Sequence, residues 1–348
     1  MAQSKAAKID IRWAVGVLIA VAVVAAVVAV VRFDPTGEKA SGLSAEYAYD
    51  IGKLAEIDPN LILYSQSGPP VKTGFSRSRA IALDPQGRVY VAGDSAIRVF
   101  DGAGNVERMV ELSDEPQCLA VADDGRIYVG LKDHIEVLDA DGRARASWSG
   151  LADGAVVTSI ALHGDSVFVA DAGRRVVLHY DVSGAILGRI GEKDPDRNIP
   201  GFIIPSPHFD LVVSRDGLLR VVNPGRCRIE AYTFTGDLEF WWGERSVAIE
   251  GFCGCCNPVS VALLPDSGFV TAEKGLERVK VYNSDGGFVG VVAGADQLGR
   301  RGLLKVCDTP EQCQGAVLDV AAGPDGRVCV LDTAENLIRV FSRKEVRP

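Results

Sequence analysis

Cys253, Cys255 and Cys256 fall within four residues of one another, in the stretch Glu250-Gly251-Phe252-Cys253-Gly254-Cys255-Cys256-Asn257-Pro258. Cys227 precedes them, and Cys307 and Cys313 follow in the next irregular segment. Neither a core nor a plain loop requires thiols at that density, kinked by glycine and closed by Asn-Pro. Such a set supports three chemistries. Disulfides would staple the loops, and Cys307 and Cys313 enclose a segment short enough to bridge. Thiolates would hold a soft ion: zinc, copper(I) or an iron–sulfur cluster. Cys253, Cys255 or Cys256, Cys307 and Cys313 would then be the four ligands. A redox-active dithiol comes third, because adjacent cysteines bridge only with strain and strained bridges are the labile ones. The spacing matches no standard cluster motif, so the staple ranks first and the metal second. The lack of a Cys-x-x-Cys-His string speaks against haem attachment.

Other residue types could build a site beside the thiols. Asp94, Asp133, Asp171, Glu273 and Asp332 recur at similar places in the repeats described below and could line a shared mouth. Aspartate also turns loops by capping its own backbone, and that is the reading favoured for them. Arg175, Arg226, Lys274 and Arg278 are interspersed with the acids, which suits a mixed-charge binding face. His208 could act as a ligand or base, although such a histidine more often satisfies the structure around it. Trp241 and Trp242 could anchor a protein partner or cover a sheet edge. Asn257 closes the cysteine stretch and joins the same candidate face.

Charge and composition bound the partners. The formal net charge of −9 over 348 residues speaks against nucleic acid, which wants a basic face. The four histidines, His134, His163, His179 and His208, make no metal motif among themselves.

Trp13–Val31 is an unbroken apolar run, about 28 Å long as a helix at ~1.5 Å per residue. A bilayer core is roughly 30 Å thick, so residues 13–31 are expected to be a single transmembrane anchor. Lys5, Lys8 and Arg12 before the run put residues 1–12 in the cytoplasm and the remainder on the extracytoplasmic, periplasmic side of a bacterial inner membrane. The run is too long, and ends in the wrong residues, for a cleaved signal peptide. Residues 32–60 read as a linker with a short amphipathic helix over 46–57, broken by Asp58-Pro59-Asn60.

From residue 78 the chain repeats. Ala80-Ile-Ala-Leu-Asp-Pro-Gln-Gly87-Arg-Val-Tyr-Val91 and Ala96-Ile-Arg-Val-Phe-Asp101 return as Leu119–Val129 with Ile135–Asp139, and again four times more, ending in Leu318–Val330 with Ile338–Phe341. Each copy holds four short strand-like runs divided by Asp/Gly turns. Four strands per repeat of this length mark a β-propeller blade. The phrase resembles the NHL repeat over about residues 78–343. The strings Val222–Tyr232, FCGCCNP (252–258) and Glu273-Lys-Gly275 resemble those of membrane-anchored bacterial NHL proteins. That resemblance implies a six-bladed propeller and leaves function open.

The last copy stops three strands in, and an open ring leaves an unpaired edge. The run Leu61–Ser65 is therefore expected to supply the missing strand and close a propeller over 61–345. Three long connections, 191–207, 243–256 and 294–314, lie between the outer strand of one blade and the inner strand of the next. They emerge on one face, together with the second-to-third-strand loops, and insertions on one face often form the binding surface of a repeat protein. The cysteines gather there, except Cys329, which reads as core. The chain is thus expected to be an all-β, six-bladed NHL-like propeller behind a transmembrane helix. Its cysteine face would dock a protein partner in a membrane redox complex. The alternative is a metal-dependent lyase or lactonase of the propeller type.

Overall fold

The computed structural model describes residues 11–32, 51–132, 134–149, 151, 153–300 and 317–345. Cys307, Cys313, Asp133, the linker after residue 32 and the start of the expected 46–57 helix lie outside them. Two units separate, Met1–Asp50 and Ile51–Pro348.

The first unit contains the helix Ile11–Arg32. Its described side chains between Val15 and Val28 are exposed along the whole run, as Leu18 and Val24 illustrate. Among the described residues no helix is long and apolar enough to cross a membrane. The continuous stretch with described side chains, 15–28, is shorter than the roughly 20 apolar residues a bilayer needs.

The second unit is built of six antiparallel sheets. In the third, Val157–His163, Ser166–Asp171, Val176–Asp181 and Ile186–Ile190 pair in sequence order. The inner strands are Ser78–Leu83, Cys118–Val121, Val157–His163, Leu211–Val213, Ser260–Leu263 and Leu318–Ala322, and each contacts the next around a closed ring. The chain is a six-bladed β-propeller. Its turns follow from local chemistry. Asp84 accepts from the backbone N–H groups of Gln86 and Arg88, and Gly87 supplies the positive φ of 79° that closes the turn. Core clusters lie between neighbouring blades: Val270 and Val281 of the fifth pack with Val320 and Val330 of the sixth. Burying one such side chain stabilises by about 1.5–3 kcal/mol.

The sixth sheet takes its outer strand from the other end of the propeller. Tyr64–Gln66 pairs antiparallel with Leu337–Arg343, with Tyr64 opposite Arg343 and Gln66 opposite Phe341. The pairing begins three residues after the start of the apolar run at Leu61. Pro59–Leu61 forms a 3-10 turn, and Ile62 bridges in parallel to Val291 of the fifth blade. The apolar residues thus dock onto one blade while the residues after them complete the next. The short helix covers Ile51–Leu54. Tyr64 is buried in the cluster between the fifth and sixth blades, whereas Ser65 points to solvent. Tyr64→Ala is expected to cost about 3 kcal/mol by leaving a cavity, and Ser65→Ala no more than ~0.5 kcal/mol. Equal denaturant midpoints for the two variants would show that this strand does not hold the ring shut.

Candidate functional site

The cysteine insert leaves the outer strand Leu238–Trp242 of the fourth blade and returns to the inner strand of the fifth at Ser260. Gly243 makes the exit: its φ is 93°, and a Cβ there would sit 2.6 Å from Cε2 of Phe252. Phe252 is therefore free to fold back under the loop, fully buried against Trp242 and Tyr282. Backbone bonds from Phe252 N to Glu244 O (2.8 Å) and from Ser246 N to Phe252 O (3.2 Å) fasten the two arms.

Beneath the loop lies a cluster of charges with no solvent contact. Glu273 Oε2 is 2.9 Å from Arg278 and Oε1 is 2.5 Å from the Lys280 ammonium; all three are at most 1% exposed. Lys280 Nζ also donates to the carbonyls of Ile249 (3.1 Å) and Gly251 (2.5 Å), and lies 4.5 Å from the centre of the Phe252 ring. Burial lowers the Lys280 pKa to about 8, with Glu273 pulling it back upward. Glu273 further accepts from Cys253 N, and Tyr282 donates to Glu250 O. Asn257 clamps the far arm: Nδ2 donates to Cys253 O (2.6 Å) and Lys274 O (3.0 Å), and Oδ1 accepts from Lys274 N (2.9 Å). Arg245 holds Gly254 O and Gly225 O. Every arm of the loop is tied to a blade.

On this frame stand the thiols. Cys255 is exposed and Cys256 is 5% exposed, and their sulfurs are 3.4 Å apart. Burial pushes the Cys256 thiol up, but the Lys274 ammonium, the neighbouring thiol and the Ser206 hydroxyl together bring it below its ordinary value. Cys255 is raised, first by its hydrogen bond with Cys256 and then by burial. Lys274 Nζ donates to Ser206 Oγ at 3.2 Å. His208, at the same mouth, has its pKa lowered to about 4 by burial and by the Lys274 charge, and its Nε2 has no hydrogen-bond partner among the described residues. Cys227 is buried below the loop with Sγ 3.4 Å from Gly254 O, and burial raises its pKa. Cys253 is half-buried. All six described cysteines are free, so no disulfide occurs among the described residues. Nor do the described residues contain three or more His, Cys, Asp and Glu side chains grouped to hold a metal ion.

Solved structures share this architecture. A streptogramin B lyase matches with a TM-score of 0.53 at 12% identity, over 81% of this chain and 98% of that one. A chain of a mitotic checkpoint complex matches at 0.52 and 12%, over 87% and 98%. A protein of unknown function from Bacteroides thetaiotaomicron matches at 0.54 and 14%, over 80% and 73%. At such identities the likeness shows the fold alone. No protein-family model matches the chain, and no curated protein matches it in sequence.

The remaining residues singled out in the sequence sort by burial. Trp242 is 6% exposed and packs in the blade core, while Trp241, on the opposite face of the same strand, is 53% exposed beneath Arg228. Arg278, Glu273 and Asn257 are buried in the frame under the loop, and Arg226 is half-buried in the turn before Cys227. Apart from Glu273, the described acids of the second-to-third-strand loops accept from backbone, and Asp332 also pairs with Arg300 at 2.8 Å. Asp94 accepts from Ser76 and Arg77, Asp171 from Val156 and Arg174, and Asp332 from Ala334 and Glu335. They turn and tie loops. Cys329 is core, its thiol pushed up to about 12 by burial.

Sequence reading missed Ser206 and Lys280, and it missed the axis of the ring. The inner strands enclose a channel of about 640 Å³ lined in part by His208, Ser159, Asp210, Ser260 and Asp319. Ser260 Oγ donates to Asp319 Oδ1 at 2.7 Å, and burial raises the pKa of the neighbouring Asp210. Each carboxylate also accepts from the next blade, Asp210 from Val261 N and Asp319 from Ile81 N. These residues occupy corresponding places in successive inner strands, a pattern visible in the repeats once they are aligned.

Proposed function

We propose that this protein is a membrane-tethered docking propeller that presents a pre-shaped cysteine loop to a protein partner in a membrane redox assembly. The observation that carries the reading is the clamped insert. Lys280, Asn257 and Arg245 hold the loop from three sides, so its shape exists before a partner arrives and little ordering entropy opposes docking. Exposed Val247 on the loop and Ile203 on the neighbouring insert give that face apolar contacts. The tether we assign to the apolar run Trp13–Val31 within the helix Ile11–Arg32. Its described valines and leucine are exposed, and a bilayer would bury them. Basic residues before the helix support a periplasmic propeller. The FCGCCNP string and the repeat phrase support kinship with membrane-anchored NHL proteins.

The lyase or lactonase alternative needs loop carboxylates turned toward the channel mouth, whereas Asp94, Asp171 and Asp332 serve loop backbone. A thiolate metal centre would need Cys307 and Cys313 beside the described thiols.

Photo-crosslinking in intact membranes tests docking. A crosslinking residue at Val247 is expected to capture a membrane protein carrying a redox cofactor or thiol pair. The same residue at Arg143, in a third-to-fourth-strand turn on the opposite face, should not. Equal capture at both positions, or none at Val247, would remove the docking face.

A further inference from the structure

We infer that Cys255 and Cys256 form a thiol–disulfide exchange centre that accepts electrons from a protein dithiol, with Cys255 as the attacked sulfur and Cys256, beside Lys274, as the leaving thiolate. The inference deepens the docking reading and rests on it only for the partner being a protein.

Three features of the geometry assign the roles. The sulfurs stand 3.4 Å apart, already in contact, and a bridge between them forms with local backbone strain. Cys255 is exposed and Cys256 is not, so an incoming thiolate reaches only the outer sulfur of a bridge. Burial raises the pKa of the inner sulfur, but Lys274 lowers it, and Lys274 is held in place: Asn257 pins its backbone from both sides, and its ammonium donates to Ser206 Oγ at 3.2 Å. The acidities agree with these roles. Cys256 is lowered despite its burial, while Cys255 is raised. Cys227 is buried, and burial raises its thiol, which disfavours its thiolate as a competing nucleophile.

The exchange balances as follows. A partner thiolate attacks Cys255 Sγ of the bridge, forming a mixed disulfide as the Cys255–Cys256 bond breaks, and Cys256 leaves as a thiolate against the Lys274 ammonium. The second partner thiolate attacks the partner's own bridged sulfur. Its disulfide closes, and Cys255 leaves and takes a proton from water. The partner dithiol is oxidised by two electrons and the cysteine pair is reduced by two. Exchange with a second protein disulfide, which becomes a dithiol, restores the bridge. A leaving thiol of low pKa departs faster. Stabilising the reduced form, together with the strain in a bridge between adjacent cysteines, makes the pair an oxidant.

The test uses the full chain in detergent micelles. In graded glutathione redox buffers, acid-quenched digests are expected to show a Cys255–Cys256 bridge that dithiothreitol reverses. Thiolate ultraviolet absorbance should show a titration step below that of an ordinary thiol. That step should vanish in Cys256→Ser, move upward in Lys274→Gln and return in Lys274→Arg. Bridge reduction by dithiothreitol should slow about tenfold in Lys274→Gln, with circular dichroism melts showing that the variants fold. A bridge absent in every buffer, or one titration step shared by wild type and Lys274→Gln, would overturn the inference. Lost crosslinking at Val247 with intact exchange chemistry would overturn only the docking reading.

Discussion

Glu273→Gln is expected to destabilise the propeller by roughly 3–5 kcal/mol, whereas Lys280→Met should cost much less and mainly release the cysteine loop. The asymmetry follows from charge. Glu273 is the one anion between two buried cations, Arg278 and Lys280. Neutralising it leaves two positive groups facing each other out of contact with water, and it weakens the acceptor for Cys253 N. Removing Lys280 instead leaves a neutral Glu273–Arg278 pair, and methionine fills the space beneath Phe252. The carbonyls of Ile249 and Gly251 then lose their donor, and the loop should become cleavable at exposed Arg245. Thermal melts and limited trypsin digestion separate the two effects. Equal loss of stability in both variants, or a Glu273→Gln protein that melts like the wild type, would show that the cluster is not the foundation of the loop.

That cluster also shows where sequence reading stops. The blades were legible because their determinants are local. The Asp84, Asp101, Asp139 and Asp181 turns each close on residues two to four positions ahead, and the same phrase returns in every blade. Lys280, in the strand Val279-Lys-Val-Tyr282, reads by alternation as a solvent position. It is buried only because a loop some 30 residues earlier folds over it. Arg220 and Arg278 are likewise buried. Trp241 and Trp242 differ in burial through the two-residue period of a strand, which their adjacency alone did not resolve. The candidate site was half legible. The cysteine density pointed to the loop, but Lys274 and Ser206 reach Cys256 from two other segments that only the closed ring brings together.

The axis of the ring carries the second large effect, a stability that depends on pH through Asp319. Burial first, and the charge of Asp210 second, push the Asp319 carboxyl up to about 7 from 3.8, against hydrogen bonds from Ser260, Ile81 N and Val320 N. Asp210 is raised as well, again by burial first. The folded protein therefore keeps a proton that the unfolded chain releases near pH 4. Stabilisation from that proton is complete below the unfolded value and is lost as pH climbs to about 7. Three pH units correspond to at most about 4 kcal/mol, and water in the channel will reduce it. His208 opposes the trend. Its pKa falls from 6.5 to about 4 on folding, so its contribution is lost as pH drops through that range. The comparison that isolates Asp319 is wild type against Asp319→Asn in urea unfolding at each pH. Both proteins keep His208, and the asparagine cannot titrate. The wild-type advantage over Asp319→Asn is expected to shrink steadily between pH 4 and 7 and to stay constant above. A difference that is flat across that range would mean Asp319 holds no proton in the folded protein at these pH values.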